Sequence, residues 1–173
     1  MTNCKTTDSE RVFADICSAL GYAVEKIPES PPAKTPDFKI EVGECFVFVE
    51  VKQFEISKPG QAIEDKLNRG EVHVEEVDFR HDGGLGRKLN QQAAQLQASC
   101  RLGFPTLGVI YSNRFLGPTD YQVQHALRND SIVIPKEISA VLYVKNENLS
   151  GEGPPFVLYR NPSAAVPFPN GLF

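Results

Sequence analysis

With 173 residues, the chain is long enough for one domain with a substantial core. Its apolar share of 41% and charged share of 23% are those of an ordinary globular protein, not of a disordered or fibrous one. A net charge of −4 and a pI near 5.4 argue against a general nucleic-acid coating protein, so any phosphate-binding surface has to be local.

The first residues, Met1-Thr2-Asn3-Cys4-Lys5, lack the apolar region of a signal peptide, and no apolar run is long enough to span a bilayer. Cys4, Cys17, Cys45 and Cys100 are scattered without Cys-x-x-Cys spacing. That pattern points to reduced thiols in a cytoplasmic protein, and away from zinc or a disulfide framework.

Thr7-Asp8-Ser9-Glu10 has the form of a capping box, a hydroxyl followed three residues later by a carboxylate. The helix it opens is expected to run to Leu20 and end at Gly21, with Phe13, Ile16, Cys17 and Leu20 as its apolar stripe. Residues 22–27 (Tyr22 to Ile27) are expected to form the first strand. Pro28 to Thr35 holds three prolines and reads as an irregular connector.

Pro36 to Lys52 then reads as a hairpin of two Val-, Ile- and Phe-rich strands around Gly43-Glu44, a pair suited to a type II′ turn. With the turn there, Val42 faces Cys45, Ile40 faces Val47, Phe38 faces Val49, and Asp37 falls opposite Glu50. Alternation sends Phe38, Ile40, Val42, Cys45, Val47, Val49 and Val51 to one apolar face. Asp37, Lys39, Glu41, Phe46, Phe48, Glu50 and Lys52 take the other. Opposed Cβ atoms on a strand pair lie roughly 4.5–5.5 Å apart, so the two carboxylates can converge on one divalent cation. Without a cation they would repel each other, and a metal ion turns that liability into a site.

Pro36-Asp37, a hairpin-length gap, and Glu50-Val51-Lys52 at the end of an apolar run resemble the PD-(D/E)XK nuclease superfamily of restriction-type endonucleases and their repair and recombination relatives. The likeness covers roughly residues 9 to 111. It implies an α/β fold with a restriction-endonuclease-like three-layer α-β-α core, a mixed central sheet and the order α-β-β-β-α-β. It implies that Asp37, Glu50 and the Val51 carbonyl ligate Mg²⁺ or Mn²⁺. Lys52 would then position the attacking water and stabilise charge on the phosphate. Such enzymes often carry a Glu on the first helix near the metal, which maps to Glu10, although capping is a sufficient role for that residue. A Gln or Lys on the helix after the Glu-x-Lys strand maps to Gln92 or Gln95, with Lys88 a weaker candidate.

Residues 53–82 read as an insertion after Lys52. A loop from Gln53 to Gly60, a short helix from Gln61 to Asn68 and an acidic edge strand from Glu71 to Phe79 are expected. Its position makes it a candidate substrate-contacting flap, with Lys58, Lys66, Arg69, Arg80 and His81 as its cations. His73 and His81 lack paired-ligand spacing and read as surface residues. After Gly83-Gly84-Leu85-Gly86, which has no Gly-Lys-Ser/Thr and is no phosphate loop, a helix is expected from Arg87 to Leu102. Leu85, Leu89, Ala93, Leu96 and Cys100 share its apolar face, and Gln92 projects within that stripe.

Pro105 to Tyr111 reads as a strand buried on both faces. Thr119-Asp120 caps a short helix to Leu127, Glu137 to Val144 is another strand, residues 150–155 form a turn, and Phe156 to Tyr159 returns as its partner. The Pro-rich tail from about 160 to 173 has no periodicity. The expected function is metal-dependent phosphodiester hydrolysis, most naturally of DNA, with a homodimer among the expected assemblies because many relatives cut two strands that way. Two other readings compete: a catalytically inactive nuclease-fold module for nucleic-acid binding or assembly, and a small-ligand-binding α/β protein.

Overall fold

A computed structural model describes residues 6–28, 34–43, 45–54, 58–71, 83–113, 119–128, 132–145 and 156–173. Among these, four helices and six strands follow one another along the chain: α1 (Asp8–Ala19), β1 (Val24–Lys26), β2 (Phe38–Val42), β3 (Cys45–Gln53), α2 (Lys58–Asn68), α3 (Gly83–Arg101), β4 (Thr106–Ser112), α4 (Asp120–Arg128), β5 (Ala140–Lys145) and β6 (Phe156–Arg160). The strands form one sheet whose spatial order equals their chain order. β3, β4 and β5 run parallel, while β1, β2 and β6 pair antiparallel with their neighbours. The result is an α/β protein with a mixed, open sheet.

Each face of the sheet buries its own apolar cluster. Phe13, Ile16 and Cys17 of α1 pack on Phe38, Ile40, Val47, Val49, Val51, Leu107 and Val109. On the opposite face Leu85, Leu89, Ala93 and Leu96 of α3, with Val123, Ala126 and Leu127 of α4, pack on Ile110, Val141 and Tyr143. All seven residues of β4 and all six of β5 are buried, as parallel strands covered on both faces require. Among the described residues, no helix is long and apolar enough to cross a membrane.

The capping box forms as its spacing predicts. Glu10 N–H donates to Thr7 Oγ1 at 3.3 Å, and Thr7 N–H donates to Glu10 Oε2 at 2.7 Å. Leu20 is the C-cap, and Gly21 follows with φ of +76°, a conformation that favours glycine. Thr7→Ala is therefore expected to destabilise the protein by about 1 kcal/mol. Urea unfolding with an unchanged slope and a lower midpoint would show it.

Several boundaries differ from the sequence expectation. β1 is shorter, because its ladder with β2 ends at Lys26↔Phe38 and Ile27 N–H already turns to the Asp37 carbonyl. α2 begins at Lys58 and absorbs part of the expected loop. α3 begins at Gly83, four residues before the expected start. Buried Leu85 and Leu89 anchor its first turns, and the bare Gly84 lets the Phe54 ring approach to 3.3 Å of where a Cβ would stand. β5 begins at Ala140, after a turn at residues 136–137. The expected acidic edge strand falls mostly within residues 72–82, outside the described residues, with His73, Arg80 and His81. The turn expected at 150–155 also lies outside them.

The tail is packed although its sequence has no period. Phe168 and Leu172 are buried in the α1 cluster. The Phe173 ring meets those of Tyr22, Phe156 and Phe13 at centroid distances of 5.2, 5.6 and 6.4 Å. Arg160 donates to the carbonyls of Phe168 and Pro169, fixing the approach of this segment.

Candidate active site

The β2–β3 register is the constant-sum register read from the sequence: Val42↔Cys45, Ile40↔Val47 and Phe38↔Val49. Gly43 turns the chain with φ of +59°, where a side chain would be strained. The ladder runs out at the open end of the hairpin, and Asp37 sits at that end. Its N–H donates to the Val49 carbonyl at 2.9 Å, and its Oδ2 accepts from Val51 N–H at 2.8 Å. Asp37 thus caps the strand edge that β2 leaves unpaired. A residue in a strand directs its N–H and C=O to the same side, so the Val51 carbonyl opens toward the same gap.

Glu50 follows on β3 with 0% of its surface exposed. Neither of its carboxyl oxygens accepts a hydrogen bond, although Lys52 Nζ lies in ion-pair contact with Oε1. Lys52 is half-buried, with 26% of its side chain exposed, and its ammonium lies against the buried Glu50 carboxyl. Burial and the neighbouring Asp37 charge push the Glu50 carboxyl up to about 8, and Lys52 offsets only part of this. Burial likewise raises Asp37, against the pull of Val51 N–H and the Lys52 charge.

Glu10 acts on this site through charge. Its Oε2 is shared between Thr7 N–H and Lys26 Nζ, the latter at 2.9 Å. Burial alone would raise its carboxyl, but the bonds from Lys26 and Thr7 overcome that and hold it below the usual range. The Glu10 charge raises Asp37 and the Lys26 charge lowers it, so the pair borders Asp37 from the α1 side. Nothing in the sequence flagged Lys26: its partner is sixteen residues away on another element.

Gln92 meets the main chain of the site. Its side-chain NH₂ donates to the carbonyls of Glu50 and Val109, both at 2.8 Å. Two carbonyl acceptors fix the orientation of the amide. Gln95, one turn further along α3, is half-buried, as is Lys88 one turn before. Gly108, opposite Glu50 on β4, is where the Gln92 amide lies: a Cβ there would stand 2.7 Å from Gln92 Oε1. An isolated glycine in a strand often marks such a close approach, and Gly108 within the apolar run of β4 is that signal in the sequence.

The donor set suits a hard divalent cation. A buried carboxyl beside a second acid, with a lysine ammonium against one of its oxygens, is eased further by a proton or a divalent cation. Among the described residues no group of three or more His, Cys, Asp or Glu side chains comes together, so a cation held here would have the carboxylates of Asp37 and Glu50 as its side-chain donors. Mg²⁺ commonly takes one or two carboxylates and keeps several waters, and the Val51 carbonyl offers a third protein oxygen. The fold and these residues define an α/β protein with a carboxylate–lysine site at the carboxyl end of a parallel strand. Comparison of the chain with protein-family models, curated proteins and solved structures gave no match.

Proposed function

We propose that the protein is a divalent-metal-dependent nuclease with a restriction-endonuclease-like core, hydrolysing phosphodiester bonds in DNA. The observation that carries this reading is the fully buried Glu50, its carboxyl raised by burial and by the nearby Asp37 charge, in ion-pair contact with the Lys52 ammonium. The element order α1, β1, β2, β3, α3, β4, with α2 inserted, supports it. Asp37, Glu50 and the Val51 carbonyl would hold Mg²⁺ or Mn²⁺, which when bound supplies the positive charge a phosphodiester and its attacking water require.

The remaining work falls to the protein's own groups. Lys52 donates hydrogen bonds to the attacking water and to the phosphate oxygen on which negative charge builds. Asp37, tied to Val51 N–H, keeps its position without a second strand beside it. The Lys26–Glu10 pair balances charge on the α1 side of Asp37, so three acids are not left facing one another.

Incubation with supercoiled plasmid, linear duplex, single-stranded DNA and RNA, each with Mg²⁺, Mn²⁺ or chelator, tests the reading. Cleavage of DNA that requires the ion and stops with chelator is expected. Identical products with and without ion on all four substrates would defeat it.

A further inference from the structure

We propose that Gln92 is a positioning residue for this site, and that Gly108 is glycine because Gln92 must lie across it. Phe48 N–H donates to the Pro105 carbonyl and Phe54 N–H to the Tyr111 carbonyl. The parallel β3–β4 ladder between them repeats every two residues, directing Val109 N–H at the Glu50 carbonyl and Lys52 N–H at the Val109 carbonyl. Those two carbonyls are the pair that the Gln92 amide bridges. The side chain therefore straddles the one stretch of ladder that carries both Glu50 and Lys52. It adds a second donor to each carbonyl from the α3 side.

Gln92 touches neither carboxylate oxygens nor the Lys52 ammonium in any described contact, so its action is on the main chain. Its own amide oxygen has no hydrogen-bond partner and faces Gly108. Burying a polar atom unpaired costs free energy, and a leucine there would have avoided the cost. The two bonds to carbonyls that already have ladder partners are a poor reason for that cost if stability alone is at stake. Holding the carboxylate and ammonium at a fixed stagger on β3 is a better one, since reacting groups have to be placed within fractions of an ångström.

Two measurements on the full chain separate this inference from the nuclease reading, on which only its kinetic part rests. The first is amide hydrogen exchange of the metal-free protein, read peptide by peptide. Gln92→Leu is expected to speed exchange about tenfold in peptides covering 50–53 and 109–111, the scale of one lost hydrogen bond, with β5 and β6 unchanged. Gly108→Ala, which displaces the amide, is expected to accelerate the same peptides. If Gln92→Leu does not fold, Gln92→Met keeps the length without the donor and carries the same readout. Unchanged exchange there, or a uniform rise across the sheet, would overturn the inference.

The second measurement is steady-state cleavage, with kcat expected to fall about tenfold or more for Gln92→Leu and KM to stay within about twofold, as for a misplaced catalytic group. A wild-type protein that cleaves nothing while the local exchange effect is present would defeat the nuclease reading and leave the clamp standing. A cleaving wild type whose kcat is untouched by Gln92→Leu would defeat the clamp as a positioning device.

Discussion

Lys52→Ala is expected to lower phosphodiester cleavage by about a hundredfold or more, the scale of losing one donor to developing charge. The fold is expected to survive. Lys52 makes an ion pair with Glu50 Oε1 and keeps 26% of its side chain exposed, so no fully buried side chain is lost with it. Its removal leaves Glu50 beside Asp37 with less to oppose protonation, so the metal-free protein answers by holding the Glu50 proton more tightly rather than by unfolding. A nicking assay on supercoiled plasmid with Mn²⁺, paired with a thermal melt, reads both parts. Full activity in the variant would count against the mechanism, and loss of the melting transition would show a structural role instead.

Glu50→Gln is expected to do two opposite things: stabilise the metal-free protein near pH 8 and abolish its divalent-ion binding. The folded-state carboxyl sits at about 8 against an ordinary 4.5. The native state therefore keeps a proton that the unfolded chain has released. That stabilisation is complete below the ordinary value and is lost as pH rises through the folded one, at up to about 1.4 kcal/mol per pH unit. Glutamine resembles the neutral acid and does not titrate, so its stability should be flatter across this window. Asp37, also raised, adds to the loss on alkalinisation. Glu10, held below its usual value, contributes stability above the ordinary carboxylate range that acid removes. Melts from pH 5 to 9 are expected to show a falling midpoint for the wild type and a smaller fall for Glu50→Gln, with Mn²⁺ rescuing only the wild type. A variant less stable than the wild type at pH 8 would mean that the buried carboxyl is charged and satisfied.

The hairpin was legible in the sequence because its register needs only one assumption, the place of the turn. Once Gly43 reverses the chain, every opposed pair follows, and Asp37 and Glu50 come to the same end. The α1 start was legible for a similar reason, since Thr7 and Glu10 signal to each other within one turn. The start of α3 was not: three glycines moved the expected start to Arg87, and the burial of Leu85 and Leu89 that accompanies the earlier start is a tertiary effect. The packed tail was hidden because Phe168, Leu172 and Phe173 dock singly, without a repeat to reveal them. Lys26 and the backbone targets of Gln92 depend on partners distant in the chain, which no local pattern encodes.

Because spatial and chain order coincide in the sheet, no strand has to wedge itself between two that are already zipped together. The β2–β3 hairpin has no other strand between its halves, and in a chain where β4 and α3 have not docked its acids would be wetted and cheaply ionised. Glu50 would then meet its electrostatic tension only on docking of β4 and α3, the step that buries it and brings the Gln92 amide over Gly108.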